Sequence, residues 1–252
     1  MLSDAAHADN PPGPMLDTPR PAPFRIRALA EVLLCSGYTT QLLIIGALAA
    51  FGIMPLGPDQ QLSPRFVFLV SAIDTVLLLS LIGLLLHWSA EHPRDIFLRR
   101  GAVSSELAVG AGLTPLVFVM VIAVQVVVHT LVPYLRNVPT NPFQALIGSP
   151  GQLAAFIVLV LVAGGLREEV QRAFLLHRFE RHLGGAKIGL LVTSVAFGLG
   201  HTLQGWDAAL VTGLLGAFWG VVYLWRRSVV ATVVSHSLFN VGEVLIAFVA
   251  LQ

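Results

Sequence analysis

Glu168 and Glu169 stand side by side in the stretch G-L-R-E-E-V-Q-R-A-F (165–174), and Arg172 lies four residues after the first and three after the second. On a helix those spacings bring the arginine onto the face of the carboxylates, able to neutralise one and leave the other for chemistry. Farther along, F-G-L-G-H places Phe197 one turn before His201, with Gly198 and Gly200 clearing space beside the ring. H-S-L-F-N then sets His236 and Asn240 four apart, and Glu243 extends the same stripe. A carboxylate, two histidines and an amide suit hydrolysis: the glutamate takes a proton from water, a histidine or a bound metal holds that water, and the amide steadies the oxyanion. His201, His236 and one carboxylate, Glu168, equally suit Zn²⁺ with an open position, the second glutamate then serving as base. H-E-x-x-H is absent, so any metal site must be assembled from separate helices.

The elements that carry these residues are hydrophobic. Apolar residues make up 56% of the 252-residue chain and charged ones 12%, with a mean hydropathy of +0.80, against roughly 25% charged in soluble domains. The chain reads as a membrane protein. At about 20 apolar residues per span, seven segments emerge, 31–53, 65–87, 105–135, 152–178, 187–203, 206–225 and 228–250, with an eighth as the upper bound. If they alternate sides, Arg20, Arg25, Arg27, Arg94, Arg99, Arg100, Arg178, Arg181, Lys187, Arg226 and Arg227 share one side, against Arg65 and Arg136 on the other. The positive-inside rule then places the N-terminus in the cytoplasm. Residues 1–24 hold six prolines and no apolar core, which reads as a disordered cytoplasmic tail. A net charge of +1 offers no basic surface for nucleic acid, and the single Cys35 excludes an internal disulfide.

Ionisable residues cost about 2.5–3.5 kcal/mol each to insert at a span's centre, so they are expected to face an interior or a wet cavity. Within segments these are Asp74, His129, Arg167 to Arg172, His201, His236 and Glu243. At 1.5 Å per residue, Glu168 lies about 15 Å, His236 about 12 Å and His201 about 21 Å from the basic end of its segment, so one shared site is allowed. Asp74 has no partner motif. His129 and Gln125 read as interhelical hydrogen bonds, Gly213, Gly216 and Gly220 as close packing, and Trp88, Trp206, Trp219 and Trp225 as mostly interface anchors.

E-E-x-x-x-R, then F-x-x-x-H, then H-x-x-x-N on successive membrane helices resembles the CAAX prenyl endopeptidase family, also called CPBP or Abi, over residues 150–250. The resemblance implies that Glu168 activates water with His201 beside it, that Glu169 supports it, and that His236 and Asn240 hold the oxyanion. In a metal reading His236 becomes a ligand. The family's arginine should fall at 173, where this chain has Ala173, with Arg172 one place early. That slip turns the guanidinium about 100°, from pairing with Glu169 towards clamping Glu168, which would make Glu168 less available as a base.

The expectation is an all-α polytopic bundle with three parts: a tail (1–24), N-terminal transmembrane helices (25–140) and a CAAX-protease-like catalytic region (141–252). Its function would be an intramembrane endopeptidase acting on a membrane-associated peptide or protein, with Zn²⁺ or without metal. The alternative is a non-catalytic peptide-binding protein, like the self-immunity members of the family, which the displaced arginine favours. A transporter would need inverted repeats, and none is visible. Fourteen arginines to one lysine suggest a GC-rich bacterium, hence an inner membrane.

Overall fold

The computed structural model describes residues 22–98 and 103–252. In chain order the apolar runs become α1 (Ala22–Leu34), α2 (Tyr38–Ala50), α3 (Pro64–Trp88), a short α4 (Pro93–Phe97), α5 (Val103–Leu131), α6 (Pro150–Leu159), a π-helical segment (Val160–Arg167), α7 (Glu168–His182), α8 (Ala186–Leu199), α9 (Trp206–Arg226) and α10 (Val230–Ala250). Local signals set several of these limits. The Ser63 hydroxyl accepts from Phe66 N (3.4 Å) ahead of Pro64, and the Ser149 hydroxyl accepts from Gln152 N (3.3 Å) ahead of Pro150. Arg227, in the left-handed conformation at φ 55°, closes α9.

The result is an all-helical bundle of an integral, multi-pass membrane protein. Helices α3, α5, α9 and α10 are long and apolar enough to cross a membrane, and the bent pair α1 and α2 makes a fifth candidate span. Three of the seven expected segments differ from simple spans. The first is broken by 45° at residues 35–37, where Gly37 adopts φ 84° and lies so close to Gln171 that a Cβ there would stand 3.1 Å from Nε2. The fourth is a continuous helical run from 150 to 182 whose second half carries charge. The fifth, α8, has 14 residues, about 21 Å of helix against a core about 30 Å thick. Of the tail, residues 1–21 lie outside the described residues, and residues 22–24 already belong to α1.

Helix α7 tolerates its charge because protein rather than lipid surrounds it. It packs against α1, α3, α4, α8 and α9, and Gln171 to Leu176 are buried without a break. Small residues let the neighbouring backbones close in. A Cβ on Gly198 of α8 would meet Ala209 O of α9 at 2.5 Å, and one on Gly110 of α5 would meet Ala231 O of α10 at 2.6 Å.

The alternation of helix ends is visible in the contacts. At one end Tyr223 donates to Ile96 O (3.2 Å), Val229 N to Phe97 O (2.9 Å), Arg226 pairs with Glu106 (2.5 Å) and Arg178 with Glu91 (2.6 Å). At the other, Trp206 N donates to Asn137 (2.9 Å), Asn141 to Gln204 (3.1 Å), and His129 of α5 meets Asp207 of α9 (3.1 Å). Arg20, Arg99 and Arg100 lie outside the described residues.

Candidate functional site

The π segment ends where the acidic pair begins. In this geometry backbone hydrogen bonds skip one residue farther than in an α-helix, a local widening frequent at functional sites. Its glycines face α10 at close range: a Cβ on Gly164 would stand 2.6 Å from Asn240 Nδ2, and one on Gly165 would overlap the Ser237 hydroxyl. This approach delivers Glu168 and Glu169, at the start of α7, to His236.

Regular α-helix from 168 onward puts both carboxylates within reach of the arginine, at i,i+4 and i,i+3. Arg172 Nη1 pairs with Glu169, three residues back, and both side chains are buried. The sequence-based expectation that Arg172 turns towards Glu168 is therefore corrected. The reason lies in the walls: the Arg172 guanidinium carbon sits 4.6 Å from the Phe197 ring and 5.8 Å from Trp219, which hold it on the Glu169 side. Position 173, by contrast, points into a core of Leu176, Tyr223 and Val229 where Ala173 is fully buried.

His236 is held on several sides. Its Nδ1 lies 2.8 Å from Glu169 Oε1; because a carboxylate accepts, the ring nitrogen donates. The ring stacks on Trp219 with centroids 3.8 Å apart and 16° between planes, and meets the Phe197 ring edge-on at 6.3 Å. Trp219 in turn donates to the Ser235 hydroxyl at 3.3 Å. With Nδ1 committed, Nε2 faces Glu168, 3.9 Å from Oε2. Glu169 Oε2 is buried and makes no hydrogen bond among the described residues.

Glu168 is clamped from an unexpected side. Its Oε1 accepts from Arg167 Nη2 at 3.0 Å, and Oε2 is the oxygen turned to His236. Arg167 also donates from Nε to Ala163 O (3.2 Å) and from Nη1 to Gln171 Oε1 (3.3 Å), and Nη1 forms an ion pair with Asp74 Oδ2 (3.0 Å). Asp74, on α3, takes further bonds from Thr40 (2.5 Å) and Gln41 (3.4 Å) of α2, while Gln171 donates to Cys35 O (2.8 Å).

Of the residues expected from sequence, Glu168, Glu169, Arg172 and His236 form one connected group, and Asn240 borders it against the π segment. His201 joins only through Phe197: its Nδ1 donates to Phe197 O (2.8 Å), its ring lies 4.9 Å from the Phe197 ring, and no ion pair links it to a carboxylate among the described residues. Glu243 is exposed. Three His, Cys, Asp or Glu side chains do not gather to hold a metal anywhere among the described residues. The trio His201, His236 and Glu168 supplies one close pair only, and so does not fit a three-ligand zinc centre.

Sequence reasoning missed the parts played by Arg167, Asp74 and Trp219. Signals for all three existed. A lone intramembrane carboxylate needs a partner, and Arg167 was the cation in the charged run without an assigned one. Trp219 sits well inside its segment, beside the small-residue pair Gly216 and Gly220, which argues against an interface anchor.

Residues 149–242 match the family model described as Type II CAAX prenyl endopeptidase Rce1-like. The match opens at Ser149, which caps α6, and closes in α10, so the chain carries an Rce1-like domain that contains both glutamates and both histidines. Asp74, Thr40 and Gln41 lie outside it. No curated protein and no solved structure matches the chain.

Proposed function

Given an Rce1-like domain within a multi-pass membrane bundle, we propose that the chain is an intramembrane endopeptidase that cuts a membrane-associated peptide with Glu168 as the base. The observation that carries this reading is the division of labour between the paired carboxylates. Glu169 is spent on Arg172 and His236, whereas Glu168 keeps Oε2 facing His236 Nε2. A separation of 3.9 Å lets one water touch both atoms.

In this mechanism His236 Nε2 accepts one hydrogen bond from the water and Glu168 Oε2 accepts the other. Glu168 takes the proton as the water oxygen attacks the peptide carbonyl, then passes it to the departing amine. Asn240, one turn beyond His236, supplies the amide donor to the oxyanion. His236 thus holds water rather than the oxyanion, because Nδ1 is committed to Glu169. Glu169 and Trp219 keep the imidazole in place, His201 borders the water side through Phe197, and no step is routed through a metal.

The basic ends of the helices gather on one side, which supports a cytoplasmic N-terminus. A protease-cleavable tag at the N-terminus should then resist protease added outside intact cells.

The test is cleavage of a broad peptide library by the purified full chain and by Glu168→Gln, beside metal analysis of the same samples. Cleavage by the wild type without stoichiometric metal, lost in Glu168→Gln, is the expected outcome; cleavage that survives Glu168→Gln rejects the assignment. A second reading, peptide binding without cleavage, draws on the Arg167 contact that occupies one oxygen of Glu168. It predicts peptide binding with no cleavage by the wild type.

A further inference from the structure

We propose that Asp74 is a positioning residue for the reaction, acting through Arg167 on Glu168, so that a helix outside the matched region sets where the reactive carboxylate points. This rests on the reading of Glu168 as the base.

Arg167 is a planar fork whose two ends are held by different carboxylates: Nη1 by Asp74 Oδ2 at 3.0 Å and Nη2 by Glu168 Oε1 at 3.0 Å. Because the guanidinium is rigid, fixing one end fixes the other. Asp74 is itself buried, 1% exposed, with Oδ1 bound by Thr40 and Oδ2 by Gln41 and Arg167. Nε also donates to Ala163 O and Nη1 to Gln171 Oε1, both neutral acceptors, so Asp74 is the one charged counterweight to Glu168 among the groups that hold the fork.

The consequence falls on one atom. Held from behind, Arg167 engages only Oε1 of Glu168, and Oε2 remains turned to His236. An Arg167 released from Asp74 can turn both nitrogens onto Glu168, the paired geometry that arginine and carboxylate prefer. Oε2 would then be withdrawn from the water. As a device for stability alone the Asp74–Arg167 pair is a poor choice, since buried ion pairs are often matched or exceeded by apolar packing. What it supplies is direction.

Buried as it is, Asp74 cannot touch a substrate, and this separates its expected signature from that of a binding residue. In the purified full chain with a cleavable peptide, Asp74→Asn should lower kcat about tenfold, since sub-ångström to ångström misplacement is costly, while KM stays within about twofold. Arg167→Ala should lower kcat as well, and the double variant should be no slower than Arg167→Ala alone, because Asp74 acts only through the arginine. Wild-type kcat in folded Asp74→Asn, a change confined to KM, or additive losses in the double variant would overturn the proposal. Should Asp74→Asn fail to fold, Thr40→Val keeps both charges and removes the hydroxyl that anchors Oδ1; it should cut kcat about threefold, and wild-type kcat there would overturn the proposal equally. Loss of cleavage in Glu168→Gln with no effect at Asp74 or Thr40 would sink this inference and leave the assignment of the base standing. Retained cleavage in Glu168→Gln would sink the assignment itself.

Discussion

Helix α7 carries two networks of charge, one at each end, and they differ in what they leave over. At its C-terminal end Arg178 is 1% exposed and pairs with Glu31 of α1 and with Glu91, while His177 also meets Glu91 and Arg227 closes on Glu180 at 2.6 Å. Each of these carboxylates faces a cation, and the buried atom left over among the described residues is a donor, Arg178 Nη2. At the N-terminal end Arg172 and Arg167 satisfy Glu169 Oε1 and Glu168 Oε1, but Glu169 Oε2 has no partner among the described residues and Glu168 Oε2 faces a histidine nitrogen. Aromatic rings touch both networks, Phe174 covering Arg178 as Phe197 covers Arg172, each at 4.6 Å, but the second adds Trp219 stacked on its histidine. Charge buried in a membrane bundle is therefore not by itself a sign of chemistry. An oxygen left open beside an oriented imidazole is a better one.

The contrast can be broken at either end, beginning with the largest effect. Arg178→Met removes a buried cation from two carboxylates and should destabilise the fold by about 3 kcal/mol or more, read as a lower Tm of the purified protein. If Tm is unchanged, the C-terminal network is not what ties α1 and the α3–α4 link to α7. Next, Trp219→Leu removes the ring stacked on His236. Such pairs are worth about 0.5–1.5 kcal/mol, so kcat of the folded fraction should fall roughly two- to tenfold, while the smaller side chain at a fully buried core position also lowers Tm. An unaltered kcat would show that Glu169 alone orients the imidazole.

The smallest effect is one of pH. Burial by itself would raise the Glu91 carboxyl, but the hydrogen bond to His177 and the charge of Arg178 outweigh it and hold the group down at about 2, against an ordinary 4.5. A carboxyl lowered on folding stabilises fully above its unfolded value and loses that contribution as pH falls through the folded one. Between about pH 6 and about pH 3 the wild type should therefore lose more Tm than Glu91→Gln, in which the titrating group is gone. Parallel losses would mean that other carboxylates govern the acid side.

Much of this was legible from the residues. Hydropathy located the helical runs because most apolar stretches are long and several are bounded by Pro, Gly or Ser, as at the Ser63-Pro64 and Ser149-Pro150 starts. The break at Gly37 was hidden because one glycine within an apolar run is compatible with a continuous helix, and its φ depends on Gln171 reaching across from α7. The π segment was equally hidden: V-L-V-A-G-G-L-R has no sequence signature for a widened turn. Placing the acidic pair and His236 in one site rested on their matching depths along separate helices, which allowed it, and on the family resemblance. Assigning the arginines needed tertiary information, because Arg172 is directed by Phe197 and Trp219, and Arg167 by Asp74, all on other helices. Spacing along one helix carried no record of them.

The most direct measurement is single-turnover cleavage by Glu168→Gln and Arg178→Met side by side, each normalised to its folded fraction. The two-network account predicts that Glu168→Gln loses cleavage by roughly 10²- to 10⁴-fold while keeping its Tm, and that folded Arg178→Met cleaves at the wild-type rate. Cleavage by Glu168→Gln at the wild-type rate, or equal losses in both variants, would contradict it.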